Sequence, residues 1–328
     1  MEQGTDTLHS EVAGVASARE ATPASRLDGL RARRQLLADG ALLLVTLIWG
    51  ATFVMVKDAV TGFPVFSFMA FRFTLAALAL APFSAWQGHR SSRSAPASRQ
   101  IGGLPILVPS ILVGTALFAG YAFQTFGLRL TTPAKAGFIT GLSVAIVPVA
   151  SALLLRQSPP RNAWIGVCLA TLGLALLALT ADLSIQPGDL LVLCCALAYA
   201  AHILLLGHFA PRYNPILLTF GQVTAVAVFS GLAALIFEQR APVTGQVLFA
   251  AAFTGVLATA VAFLIQTVAQ RFTTSTHTAL IFAAEPVFAG LFSLLLIGEV
   301  LGPRQLLGCA LILGGMLVAE LKGKDGHG

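Results

Sequence analysis

Gln124-Thr125-Phe126-Gly127-Leu128-Arg129-Leu130-Thr131-Thr132 returns 142 residues later as Gln266-Thr267-Val268-Ala269-Gln270-Arg271-Phe272-Thr273-Thr274. Five polar residues in nine positions match, which leucine-rich sequence does not produce by accident. The same offset pairs Ser151 with Ser293, Gly166 with Gly308 and Gly173 with Gly315. Outward from each copy the chain is a succession of apolar runs, placed at 40–60, 64–86, 104–126, 133–155, 163–181, 188–208, 215–237, 245–268, 276–298 and 303–321. Each is close to the ~20 residues that cross ~30 Å of hydrocarbon as a helix. Pro64, Pro133, Pro187, Pro215 and Pro303 fall at or just before helix starts, where a missing amide donor matters least. The repeat thus spans five helices. Five is odd, so the second copy enters the membrane from the opposite side. The expected fold is an all-α integral membrane protein with ten transmembrane helices in two inverted-topology five-helix repeats. The repeats occupy 39–181 and 187–321, flanked by a disordered cytoplasmic tail (1–38) and a short cytoplasmic tail (322–328).

Composition agrees with that class. Of 328 residues, 56% are hydrophobic and 10% charged, where soluble domains carry about a quarter charged residues. Mean hydropathy is +0.84. The net charge of +6 is no nucleic-acid signal, because the basic residues sit mainly in short loops, where they set orientation. With the N-terminus inside, fourteen of the twenty Lys and Arg lie in cytoplasmic segments, including Arg31, Arg33, Arg34, Arg156, Arg212 and Arg271. Five lie outside (Lys57, Arg129, Lys135, Arg240 and Arg304). Trp86 and Trp164 then mark the cytoplasmic interface, and both termini are cytoplasmic in a multi-pass protein of the inner membrane. Cys168, Cys194, Cys195 and Cys309 lie inside apolar runs without a C-x-x-C and read as small buried residues, not as ligands or a disulfide.

Reactive motifs are missing. Ser143 sits in Gly141-Leu142-Ser143-Val144-Ala145, which lacks the second glycine of a nucleophile elbow. There is no H-E-x-x-H, no paired carboxylate set and no Walker A motif, so neither a metal, a cofactor nor ATP is expected. Inverted repeats, by contrast, let two halves exchange shapes around a central site and expose it to each side in turn. The expectation is a secondary transporter, an exporter or exchanger of amino acids, amine-containing metabolites or related small organic molecules. A membrane-embedded sensor or lipid-modifying enzyme on the same fold is the alternative. The expected partners are a small-molecule substrate, the lipid bilayer and a proton as coupling ion, in a monomer or homodimer.

Several stretches carry a family resemblance. Leu47-Ile48-Trp49-Gly50-Ala51-Thr52-Phe53 followed by Phe71-Arg72-Phe73, Ala136-Gly137-Phe138-Ile139-Thr140-Gly141-Leu142 with Val147-Pro148, and Glu285-Pro286-Val287-Phe288-Ala289-Gly290 with Leu294–Glu299 resemble EamA-type proteins of the drug/metabolite transporter superfamily. The resemblance covers about 39–321 and implies a ten-helix exporter or exchanger with a central cavity between its halves. The chain departs from it at Arg156-Gln157, where many relatives end the fourth helix with an acidic residue. That argues against a symmetric role for Glu299.

Ionisable residues deep in a bilayer cost about 2.5–3.5 kcal/mol on insertion scales, so each is a functional candidate. Arg72 lies ~12 Å from the outer start of helix two, and Glu285 ~16 Å from the same side. One reading has Glu285 bind a proton or a substrate amine while Arg72 counters it or meets a carboxylate. The other is a fixed ion pair or helix-end hydrogen bond. Pro148 and Pro286 free backbone carbonyls, as hinges or static kinks. Gly137 and Gly141 form a G-x-x-x-G step suited to close packing or substrate approach. Trp49 and Tyr199, at comparable places in helices one and six, offer rings to an amine or fill the core. Tyr121, Gln124 and Gln266 are polar handles in an apolar surround. Lys135 either snorkels to the interface or lines an anion-attracting vestibule. His202 and His277 are proton-pathway or packing residues, and Glu299 and Glu320 are helix-end groups.

Overall fold

The computed structural model describes residues 23–93, 104–131, 133–178, 186–298 and 301–320. Among them the chain is helical throughout: α1 (Pro23–Thr61), α2 (Val65–Arg93), α3 (Leu107–Leu128), α4 (Pro133–Gly141), α5 (Ser143–Leu154), α6 (Arg161–Ala178), α7 (Pro187–Phe209), α8 (Pro215–Phe237), α9 (Gly245–Gly255), a π-helical segment (Val256–Val261), α10 (Ala262–Ala269), α11 (Ser275–Phe282), α12 (Glu285–Ile297) and α13 (Pro303–Glu320). Seven stretches are long and apolar enough to cross a membrane, from Ala32–Thr52 to Gly245–Ala269. The N-terminal 22 residues, Glu299 and the tail from 321 onward lie outside the described residues.

Three differences from the sequence reading have physical causes. The first helix begins at Pro23, so residues 23–38, expected to be disordered, are helical. That stretch is rich in Leu, Arg, Ala and Gln, strong helix formers, and it continues an existing helix, which avoids a new nucleation step. At 39 residues, α1 is ~58 Å long and extends beyond the hydrocarbon. The fourth and ninth helices are each broken in two. The breaks fall at Leu142 and at Ala283–Ala284, and Leu142 and Ala284 are 142 residues apart, the repeat offset. Neither break is made by its proline alone. Pro148 lies six residues beyond the first break, inside α5. Pro286 is the second residue of α12, where no amide donor is needed. The eighth helix, expected to be continuous, holds one wide turn, Val256–Val261.

Starts are well specified. Asn214 Oδ1 accepts from the amides of Ile216 (3.0 Å) and Leu217 (3.3 Å) ahead of α8, and Thr244 and Thr274 hydroxyls cap α9 and α11. Helix α2 is capped from elsewhere: Glu238, just past α8, accepts from Phe66 N (2.7 Å), Ser67 N (2.8 Å) and Ser67 Oγ (2.9 Å). A carboxylate there also meets the positive end of the α2 dipole.

Packing pairs the two halves. α6 lies along α13, α2 along α8 and α3 along α7, while α1 meets α10, α11 and α12. Exchanging the halves maps these contacts onto one another. The α6–α13 seam is the sharpest case. A Cβ on Gly166 would stand 2.5 Å from the Gly315 carbonyl, and one on Gly173 would stand 2.6 Å from that of Gly308. Only hydrogen fits, so the two backbones touch. Numbers rise along α6 as they fall along α13, so the two helices run antiparallel. A core of Phe73, Leu117, Val223, Val226 and Phe263 fills the space between α2, α3, α8 and α10.

Candidate functional site

The centre of the bundle is organised by the π turn. Widening from i→i+4 to i→i+5 hydrogen bonding displaces carbonyls from the helical ladder. Ala258 O accepts from Trp49 Nε1 (2.8 Å) on α1 and from Arg72 Nη2 (3.4 Å) on α2. Thr259 Oγ1 donates five residues back to Thr254 O (3.0 Å) and accepts from Arg72 Nε (2.7 Å). This approach needs Gly255, whose Cβ would lie 2.6 Å from the Arg72 carbonyl. Arg72 is only 4% exposed. Its Nη2 also donates to Tyr121 OH (3.2 Å), and its guanidinium carbon stands 5.0 Å from the Tyr121 ring centre. Its Nη1 donates to no described residue. One edge of a buried cation is thus fixed and the other is uncommitted.

Rings surround that edge. Trp49 meets Phe263 (5.6 Å) and Phe282 (4.9 Å), while Tyr121 meets Phe73 (5.1 Å), Tyr199 (5.8 Å) and Phe263 (6.4 Å). Tyr199 OH donates to Gln124 Oε1 (3.2 Å). Trp49, Tyr121, Gln124 and Tyr199 are half-buried although they bond and stack across helices. The structure therefore brings Trp49, Arg72, Tyr121, Gln124 and Tyr199 into one constellation.

Glu285 is the first residue of α12, at the positive end of that helix, and is half-buried. It does not pair with Arg72: among the described residues, ion pairs within 4.0 Å involve His277 alone. His202 belongs to a buried, bonded network. Gln222 Nε2 donates to Thr267 Oγ1 (3.3 Å), which leaves Gln222 Oε1 to accept from His202 Nε2 at 2.9 Å. Thr219 Oγ1 also reaches Thr267 Oγ1 (2.9 Å). Gln266 lies apart from Gln124, donating to Gln270 Oε1 (3.2 Å), and Gln270 bonds Ile203 O (3.0 Å). Lys135 is 5% exposed in the first turn of α4, more enclosed than a snorkelling side chain. Gly141 packs on Leu174 of α6, whose Cδ1 a Cβ would meet at 2.8 Å, whereas Gly137 faces open space. Thr259, Phe263 and Gln222 were not singled out from sequence. Thr259 is a polar residue in Leu257-Ala258-Thr259-Ala260, a faint signal that a wide turn makes important.

An all-helical, multi-pass bundle with a polar, aromatic-lined centre defines the class of membrane transport proteins. The chain belongs to the EamA-like transporter family, which it matches twice, over residues 36–179 and 186–320. It is 34% identical over 295 residues to an uncharacterized transporter of Archaeoglobus fulgidus, covering 90% of this chain and 89% of that one. It is 24% identical over 173 residues to the uncharacterized inner membrane transporter YedA of Escherichia coli K12, covering 52% and 53% of the two chains. A solved crystal structure superposes with a TM-score of 0.70 at 22% identity, covering 85% of this chain and 95% of that one. It thus shares the fold.

Proposed function

We propose that the protein exports or exchanges amino acids, amine-containing metabolites or related small organic molecules across the inner membrane, driven by a gradient. The observation that carries this is the uncommitted Nη1 edge of Arg72 inside an aromatic enclosure. A guanidinium edge is shaped for a carboxylate, and the faces of Trp49, Tyr121 and Tyr199 suit a cationic amine. Glu285, held at a helix break and unpaired with Arg72, takes the amine or a coupling proton. His202 and Gln266 act behind this set by fixing α7, α8 and α10, and Lys135 raises positive potential near the mouth. Gly137, Gly141, Pro148 and Pro286 flank the paired breaks in helices four and nine, where bending exposes the site alternately.

This mechanism uses ten spans, with α4–α5, α9–α10 and α11–α12 each crossing as one broken helix, in two inverted five-helix repeats with both termini cytoplasmic. The antiparallel glycine seam of α6 and α13 supports the inversion, and the printed description of YedA supports the inner membrane.

The test is a growth panel in a host overproducing the protein, challenged with toxic amino acids, analogues, amines and nucleosides, beside Glu285→Gln. Resistance to one class, lost in the variant at equal membrane abundance, is the expected result. No resistance in the panel together with no flux of these compounds in proteoliposomes overturns the substrate class.

A further inference from the structure

A second cluster lies at one end of the bundle, away from Arg72. It joins Asp39 of α1, His277 of α11 and Glu320 of α13. His277 Nδ1 is 3.9 Å from Asp39 Oδ2 and 3.5 Å from Glu320 Oε1, and one donor atom from each residue lies within 4.8 Å of the others. Asp39 is 8% exposed, and both its carboxylate oxygens are buried without a hydrogen-bond partner. A carboxylate taken from water without donors is unfavourable unless a cation compensates it.

We propose that Asp39, His277 and Glu320 bind a zinc-class divalent ion. Ligands around tetrahedral zinc, at ~2.0–2.2 Å from the metal, stand ~3.3–3.6 Å apart. The His277–Glu320 edge has that length and the His277–Asp39 edge exceeds it slightly. Glu320 is the exposed member, its side chain 45% accessible, and its rotation closes the third edge. One imidazole and two carboxylates suit zinc, whereas magnesium and calcium favour all-oxygen shells. Water completes the coordination. Thr274 Oγ1 accepts from the His277 amide at 3.2 Å and so fixes the backbone from which the imidazole projects. The ion ties α1 of the first half to α11 and α13 of the second. Sequence alone separates these ligands by more than two hundred residues, and only the packing of α1 on α11 brings them together.

The test uses the full chain in detergent, stripped of metal and freed of any affinity tag, titrated with zinc chloride by calorimetry and followed by thermal unfolding. One saturable site and a raised unfolding midpoint are expected, with millimolar magnesium failing to compete. Asp39→Asn and His277→Gln should each weaken binding by at least about tenfold and remove the thermal shift. Glu320→Gln, at the exposed edge, should weaken it without disturbing the fold, so the test stands even where the buried variants misfold. Wild-type protein that binds no zinc saturably overturns the proposal and leaves an ion network centred on His277. Equal binding by the folded Glu320→Gln and His277→Gln proteins overturns it too, because the ion then sits elsewhere.

Discussion

At the residue scale, the guanidinium of Arg72 is the group on which most other contacts converge. Thr259→Val keeps the shape of the side chain and deletes the acceptor for Arg72 Nε. Hydrogen bonds to charged groups contribute about 1.5–3 kcal/mol, so substrate flux should fall by roughly tenfold or more, with the fold retained. Arg72→Lys should fare worse, since an ammonium cannot engage Thr259, Tyr121 and a ligand together. Flux in proteoliposomes at matched reconstitution checks both; unimpaired Arg72→Lys protein would remove Arg72 from the site. Behind it, Gln222→Leu strands His202 Nε2 and should lower stability by about 1–3 kcal/mol, read as an earlier thermal transition in detergent. Arg72, Trp49, Tyr121 and Tyr199 were visible in the sequence because polar or amphipathic groups in apolar runs stand out. Asp39 was not, because a carboxylate near a helix end looks solvated until the neighbouring helices are in place.

Elements are set by local signals where those signals are proline and cap residues. Starts at Pro133, Pro187, Pro215 and Pro303 coincide with or lie within a residue of those read from the chain. The breaks in helices four and nine were less legible, because each sits before or beside a proline and not on it, among Ala, Leu and Gly that would continue a helix equally well. The α2 cap was invisible for a different reason: its donors and acceptor are 171 and 172 residues apart. Glu238→Ala should lower stability by about 1–2 kcal/mol, and Glu238→Gln, which keeps one acceptor, by less. Thermal unfolding of the two variants orders them; equal midpoints with wild type would mean that the cap contributes nothing.

For the whole molecule, the repeat carried the architecture further than any single helix could. Its glycines at 166, 173, 308 and 315 were read as matching positions, and the structure shows what they match for: close contact between α6 and α13. Gly173→Val places branched carbons against the Gly308 carbonyl and should part the halves, giving low yield of folded protein by size-exclusion chromatography; a wild-type profile would deny the seam its role. Orientation is testable apart from folding. Arg212→Cys, on the short α7–α8 turn, should resist a membrane-impermeant thiol reagent in whole cells, and Arg240→Cys, between α8 and α9, should react. The reverse pattern would invert the proposed topology.

The wide turn at Val256–Val261 has a consequence for how this chain tolerates length changes. One extra residue in a turn advances everything after it by about 100° around the axis, so α10 presents a different face from the one a regular helix would turn inward. Phe263, Gln266 and Thr267 reach the interior because of that offset. Losing a single residue between 256 and 261 would restore a regular helix, rotate those three side chains away from α7 and α8, and withdraw the Ala258 carbonyl from Trp49 and Arg72. In a segment built of small, interchangeable alanines and valines, the number of residues constrains the protein more tightly than their identity.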